Sequence, residues 1–200
     1  MADKLDQSRR EVARRSVVLE RATGLVERGL ELAAAVFDST FVAASTGILH
    51  SIALRRDGSL WAWGMNEDGQ LGLGDVDDRD RPTRIGCDND WAAVSTGWKH
   101  ALALKRDGSL WAWGRNAYGQ LGVGDTVDRD RPTTVGGDSD WQQLAGSSQG
   151  IHALALKRGG SLWAWGPNDC GSLGLGDNED RDRPTRVVLT SSLGREDYEL

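Results

Sequence analysis

A unit of about 50 residues is written three times in this chain: Ser-Leu-Trp-Ala-Trp-Gly stands at Ser59 to Gly64, Ser109 to Gly114 and Ser161 to Gly166. A repeat of that period specifies an array of similar supersecondary units, each too small to bury its own apolar surface and each covered by its neighbour. The copies agree beyond the hexapeptide: the equivalent histidines are His50, His100 and His152, and the equivalent prolines are Pro82, Pro132 and Pro184. The first two units are therefore offset by 50 residues and the third carries a two-residue insertion, placed around Ser147 to Gly150.

Within each unit the pattern is that of short strands. In the second, Trp91 to Ser95, His100 to Lys105 and Gly108 to Trp113 read as three strands, with Asp107-Gly108 as a tight hairpin turn and Pro132 to Val135 as a fourth, outer strand. Four short strands in about 50 residues is the size of one propeller blade. Alternation places Trp111 and Trp113 on one face of their strand and Leu110 and Ala112 on the other. Both faces are apolar, as a sheet held between two neighbours requires.

Residues 8–37 read differently. Ser8 and Glu11 have capping-box spacing, and Val12, Leu19, Ala22, Val26, Leu30, Ala33 and Phe37 recur at helical intervals, with Gly24 and Gly29 marking a bend or break near Thr23. The expected organisation is a helical segment over 1–40, three units over 41–190 (41–88, 89–138 and 139–190) and a tail over 191–200. The fold class is all-β, three four-stranded propeller-type blades preceded by an α-helix.

The residues Gly-x-x-His-x-x-Ala-Leu, Asp-Gly-Ser-Leu-Trp-Ala-Trp-Gly, Asn, Gly-Gln-Leu-Gly-x-Gly-Asp and Arg-Pro-Thr, best preserved in the second unit, resemble the RCC1 (regulator of chromosome condensation) repeat. The resemblance covers about 150 of the 200 residues. It implies a β-propeller, usually of seven four-stranded blades, used mainly to bind proteins, with the histidine as part of the blade framework. Some relatives act as guanine-nucleotide exchange factors on small GTPases. Gly97-Trp98-Lys99-His100 is also similar to the Gly-Trp-Arg-His motif of the plant UV-B photoreceptor, which implies tryptophan light sensing as a weaker alternative.

Closed propellers need typically 4 to 8 blades, and three are written here. The third unit keeps Leu162, Trp163, Ala164 and Trp165, nearly the apolar face of the internal unit, where a capping repeat would be polar. The expectation is self-association, or else an arc whose end is covered by the helix over 8–37. Leu162, Trp163 and Trp165 of one copy meet Trp61 and Trp63 of another, head to tail, most simply as a dimer.

Of the net charge of −6, −4 lies on the repeats over 41–190 and −2 on the tail, because residues 1–38 carry seven basic and seven acidic side chains. That disfavours direct nucleic-acid binding and favours a protein partner with a basic surface. No apolar run reaches the ~18 residues of a membrane span, and no secretory leader is legible, so a cytoplasmic protein without membrane attachment is expected. Cys87 and Cys170 occupy different offsets in their units and read as free thiols.

No catalytic constellation, cofactor motif or metal site is read. His50, His100 and His152 belong to separate blades, and together with Gly64, Gly114 and Gly166 they read as framework. The Gly-rich stretches 69–75, 119–125 and 171–177 lack the Lys-Ser/Thr ending of a phosphate loop. The acidic stretches beginning at Asp75 and Asp177 lack the glycine and closing glutamate of a calcium loop. Arginine pairing is the expected use of their carboxylates. The binding candidates are the positions at which the units differ, on loops: Ile48, Leu49, Trp98 and Lys99 before the histidines, and Glu67, Arg115 and Tyr118 around the asparagines.

Overall fold

The structure, a computed structural model, describes residues 40–146 and 149–189. The helix expected over 8–37 and the tail over 191–200 lie outside them, as do Ser147 and Ser148 of the insertion. The chain divides into two compact units, Met1–Thr40 and Phe41–Leu200. Among the described residues there is no helix, and the second unit holds three four-stranded antiparallel sheets.

The first sheet runs β1 (Phe41–Thr46), β2 (His50–Arg55), β3 (Leu60–Gly64) and β4 (Arg79–Arg84). The second runs β5 (Trp91–Thr96), β6 (His100–Lys105), β7 (Leu110–Gly114) and β8 (Arg129–Thr134). The third runs β9 (Trp141–Ala145), β10 (Ala153–Lys157), β11 (Leu162–Gly166) and β12 (Arg181–Arg186). In each, sequence neighbours pair in order from β1, β5 or β9 outward. Those first strands contact one another, β1 with β5 and β5 with β9.

Two strand starts differ from the sequence expectation, for identifiable reasons. β7 starts at Leu110, not Gly108, because Asp107 keeps the turn: its carboxylate accepts the Ser109 amide at 2.8 Å and hydroxyl at 2.7 Å. Ser109 Oγ then accepts the Trp111 indole N–H at 2.9 Å. β8 begins at Arg129, three residues before Pro132, and pairs with β7 from Arg129 opposite Gly114 to Thr134 opposite Trp111 across a bulge. Proline is tolerated because β8 is an edge strand whose outer side asks for no ladder donor. The alternating Arg129, Asp130 and Arg131 make that edge a poor template for further pairing.

The two apolar faces of each strand go to different neighbours. Leu110 and Ala112 pack with Leu102, Leu104, Leu121 and Val135 against Trp141, Ala153, Ala155 and Trp165 of unit three. Trp113, from the opposite face, joins Trp91, Ala101 and Ala103 against Ile52, Leu54, Leu60, Leu71 and Ile85 of unit one. Each tryptophan also bonds across the seam: the Trp113 indole N–H donates to the Gln70 carbonyl at 3.0 Å, and Trp165 does the same to Gln120 at 3.0 Å.

The glycines of the receiving loop are required by this approach. A Cβ on Gly72 would stand 2.7 Å from Trp113 Nε1, and Gly72 already lies at φ +71°. Gly122, at φ +72°, receives Trp165 in the same way. A long irregular loop can hold that shape because a buried asparagine ties it. Asn66 Oδ1 accepts the Leu71 amide at 2.9 Å, Nδ2 donates to the Asp75 carbonyl at 2.9 Å, and Asn116 and Asn168 repeat both bonds.

Truncating a buried tryptophan removes both transfer energy and packing, at ~3–5 kcal/mol for Trp→Ala. Trp113→Ala is expected to lose stability in that range, and Trp98→Ala, half-buried on a loop, clearly less. Urea unfolding of the two variants beside the parent measures the difference. Equal losses would show that the seam does not depend on the indole.

Candidate functional site

Two sets of loops reach the same edge of the sheets. The connections β1–β2 and β5–β6 carry Gly47 to Leu49 and Gly97 to Lys99, and the segments after β3 and β7 carry Met65 to Asp68 and Arg115 to Tyr118. Backbone bonds join them: the Met65 amide donates to the Leu49 carbonyl at 2.8 Å, and the Arg115 amide to the Lys99 carbonyl at 2.9 Å. Gly64 and Gly114 permit this, since a Cβ on either would collide with the carbonyl of Leu49 or Lys99. A second series runs from unit to unit: the Ile48 amide donates to the Trp98 carbonyl at 3.4 Å, and the Trp98 amide to the Gly150 carbonyl at 2.8 Å.

Five side chains from two units meet there. Lys99 Nζ lies 2.8 Å from Asp68 and 3.6 Å from Glu67, and the Arg115 guanidinium lies 3.5 Å from Asp68. Both cations flank one indole, with Lys99 Nζ 5.7 Å and Arg115 Cζ 5.6 Å from the Trp98 ring centroid. The hydrogen bond with Asp68 raises the Lys99 pKa against the opposing effect of burial, helped by the charges of Asp68 and Glu67. Lys99 therefore stays a cation at neutral pH, and the half-buried Trp98 is held in place.

Glu67, Trp98, Lys99 and Arg115, four of the seven binding candidates, thus form one cluster. Ile48 and Leu49, 47% and 60% exposed, adjoin it through the Ile48–Trp98 backbone bond. Tyr118, 46% exposed, occupies the position of Asp68 at the next junction, where Gly150, Ile151 and Pro167 replace Trp98, Lys99 and Arg115. The surface therefore changes from charged at the first junction to apolar at the second. Asp68, which organises the cluster, is one of the unit-varying loop positions around the asparagines. Its signal was the unit-specific pair Glu67-Asp68 standing where unit two has Ala117-Tyr118.

The other sequence-chosen residues are framework. His50 and His100 are buried, and each ring packs under the glycine three residues before it, Gly47 or Gly97. Burial lowers both pKa values to about 4, and the charges of His50 and His152 add to the effect at His100. The acidic loops are occupied by arginines: Arg79 binds Asp75, Arg129 binds Asp125 and Arg181 binds Asp177, each at 2.6 Å. Asp75 also accepts the Asp77 amide and an Asn66 side-chain N–H. Among the described residues no group of three or more His, Cys, Asp or Glu could hold a metal ion, and both cysteines are exposed free thiols.

A second feature escaped the sequence reading. Lys105 Nζ sits 4.9 Å from the Trp91 ring and 4.7 Å from the Trp111 ring, and pairs with Asp88 at 2.7 Å and Asp90 at 3.1 Å. Lys157 repeats this with Trp141, Trp163, Asp138 and Asp140. Burial opposes the charge of each lysine, but the hydrogen bonds it donates to its two aspartates outweigh it and raise the pKa. These lysines fill their own aromatic clefts and are structural.

The models of the regulator of chromosome condensation (RCC1) repeat match residues 57–104, 107–154 and 159–195, and a second model of the same repeat matches 41–70 and 91–120. The chain is 37% identical over 151 residues to human HERC3, a probable E3 ubiquitin-protein ligase, covering 75% of this chain and 10% of that protein. It is 49% identical over 41 residues to the Arabidopsis thaliana ultraviolet-B receptor UVR8, covering 20% of this chain and 9% of the receptor. Among solved structures it is similar to Saccharomyces cerevisiae Prp20p, described with its binding properties to Gsp1p and histones. The TM-score is 0.67 and the identity 25%, over 76% of this chain and 39% of that one. The chain thus spans a tenth of the length of HERC3 and well under half of Prp20p.

Neutral histidines in the folded state fix the sign of the acid response. For a histidine whose pKa falls from 6.5 to about 4, the unfolded chain takes up the proton first. The stability is present above pH 6.5 and is lost as pH falls toward 4, by ~1.4 kcal/mol per pH unit for each histidine. Urea unfolding between pH 7 and 4.5 is expected to show that slope, and His100→Gln to reduce it by about half. A parent protein whose stability is flat over this window contradicts the buried neutral state.

Proposed function

The chain belongs to the regulator of chromosome condensation (RCC1) repeat family, and from that premise we propose that it is a non-catalytic protein-interaction scaffold completed by self-association. The observation that carries this reading is Trp98. It is half-buried, flanked by Lys99 and Arg115, and set beside the exposed Ile48 and Leu49 on a loop edge that no backbone requirement forces to be apolar. Aromatic residues held in place with an apolar surround are the usual anchors of protein interfaces. The likeness to Prp20p, a protein described with binding to Gsp1p and histones, supports a protein partner. The net charge of −6 favours a partner with a basic surface.

The ligase activity named for HERC3 is not carried over, because the match covers 10% of that protein. Two exposed thiols suit a reducing compartment, in keeping with a cytoplasmic location. No helix among the described residues is long and apolar enough to cross a membrane. Exchange of guanine nucleotide on a small GTPase is the second reading, favoured by the membership of the repeat family. Accelerated release of labelled GDP from a GTPase partner would promote it. Light sensing is not advanced, since Ile48 and Gly150 stand where Trp98 stands in unit two.

Affinity capture from cells that express the chain, with the parent and Trp98→Ala compared by mass spectrometry, tests the scaffold reading. The expected result is a protein retained by the parent and lost at least tenfold by Trp98→Ala, with the thermal transition unchanged. A partner bound equally by both places the interface elsewhere, and no retained partner rejects the reading.

A further inference from the structure

Both internal junctions are built to one pattern with two halves. One half is a socket: in unit one Ile52, Leu54, Leu60, Leu71 and Ile85, with Gly72 opening the floor and the Gln70 carbonyl as acceptor. The other is a knob: in unit two Trp113, which enters that socket, with Trp91 covering it beside Ala101 and Ala103. The junction between units two and three repeats both halves, with Trp165 entering over Gly122.

Each half also occurs once without its complement among the described residues. In unit three the socket leucines Leu154, Leu156 and Leu162 are half-exposed, whereas their counterparts in units one and two are buried. At Gly174, φ +68°, a Cβ would meet only Val187 Cγ1, at 3.6 Å, where Gly72 and Gly122 each meet an indole at 2.7 Å. The socket floor has the shape that takes a flat ring at the two internal junctions, and no ring of the described residues lies on it. In unit one, Trp63 is half-exposed although Trp113 and Trp165 are fully buried, and Phe41, 52% exposed, stands where Trp91 and Trp141 are 3% exposed. Trp165, expected from the sequence on the outer face, is the knob of an internal junction and is not available there.

We infer that a second copy of this chain docks head to tail, the Trp63 indole of one copy entering the socket of Leu154, Leu162 and Gly174 of the other. The proposal deepens the self-association within the scaffold reading and rests on it. A second copy is the occupant because the surface complementary to this socket is carried by the same chain, in a form that fills the same socket twice within it. The contact is heterologous, so each copy offers one knob and one socket. By the pattern of Gln70 and Gln120, the carbonyl of Ser172 would accept the Trp63 indole N–H.

The experiment is sedimentation equilibrium of the full chain at tens of micromolar. The parent is expected at twice 21.7 kDa or a higher multiple. Gly174→Asn keeps the left-handed backbone that asparagine tolerates, and blocks the floor. It is expected as a monomer with unchanged circular dichroism, its association weakened at least a hundredfold. Trp63→Ala is expected to do the same from the other side, and Leu162→Lys serves as a second socket variant should Gly174→Asn misfold.

Mixing Trp63→Ala with Gly174→Asn decides the polarity. Each supplies the half that the other lacks, so the equimolar mixture is expected to form a heterodimer from two monomeric proteins. A monomeric parent, single variants with the parent's mass, or a mixture that stays monomeric overturns the proposal. A monomeric parent that still retains a partner through Trp98 leaves the scaffold reading standing. An associated parent that retains no partner rejects that reading and keeps this one.

Discussion

One hydrogen bond between units, indole N–H to backbone carbonyl, organises the rest of this fold. Trp113 can donate to Gln70 only if its ring lies flat on Gly72, and Trp165 to Gln120 only over Gly122. That geometry demands glycine in a left-handed conformation, a loop stiff enough to present the carbonyl, and an asparagine buried beneath it to supply the stiffness. Each requirement satisfies a group whose burial would otherwise cost free energy. The tryptophan then brings a large apolar surface into the seam, of order 2–3 kcal/mol for a fully buried aromatic side chain.

Charge is used around this seam to hold shape. Lys105 and Lys157 each lie between two indoles with two aspartates, so the aromatic pairs Trp91–Trp111 and Trp141–Trp163 keep their edge-to-face geometry around a cation. The arginine–aspartate pairs of the outer loops are solvent-exposed and contribute little to stability. Their main effect is to occupy carboxylates that would otherwise repel one another. The buried histidines are neutral for a different reason: burial penalises their charged form.

Much of this was legible in the sequence because the repeat supplies its own control. The strands, the two apolar faces of Leu110 to Trp113 and the framework role of the glycines follow from residues that recur at fixed offsets. What recurs identically cannot reveal position. Trp63, Trp113 and Trp165 have the same local sequence, yet only the last two have a preceding unit to enter, and this is why Trp165 was placed on the wrong face. The start of β8 was missed because Arg-Asp-Arg has poor strand propensity. An edge strand paired with the Trp strand accepts it. The cluster at Trp98 was visible only in part, since Asp68 and Lys99 are 31 residues apart and meet because two units dock.

The loop edge shows why such a scaffold can specialise without losing its fold. The bonds that place these loops use the main chain: Met65 to Leu49, Arg115 to Lys99, Ile48 to Trp98 and Trp98 to Gly150. No side chain is needed to make them, so the residues between the obligatory glycines and histidines carry no folding constraint. Unit one has placed Ile48, Leu49, Glu67 and Asp68 there, unit two Trp98, Lys99, Arg115 and Tyr118, and unit three Gly150, Ile151 and Pro167. Three copies of one framework thereby present three different surfaces. Because adjacent units meet at this edge, any distinctive chemistry arises at a junction, from side chains that neither unit holds alone.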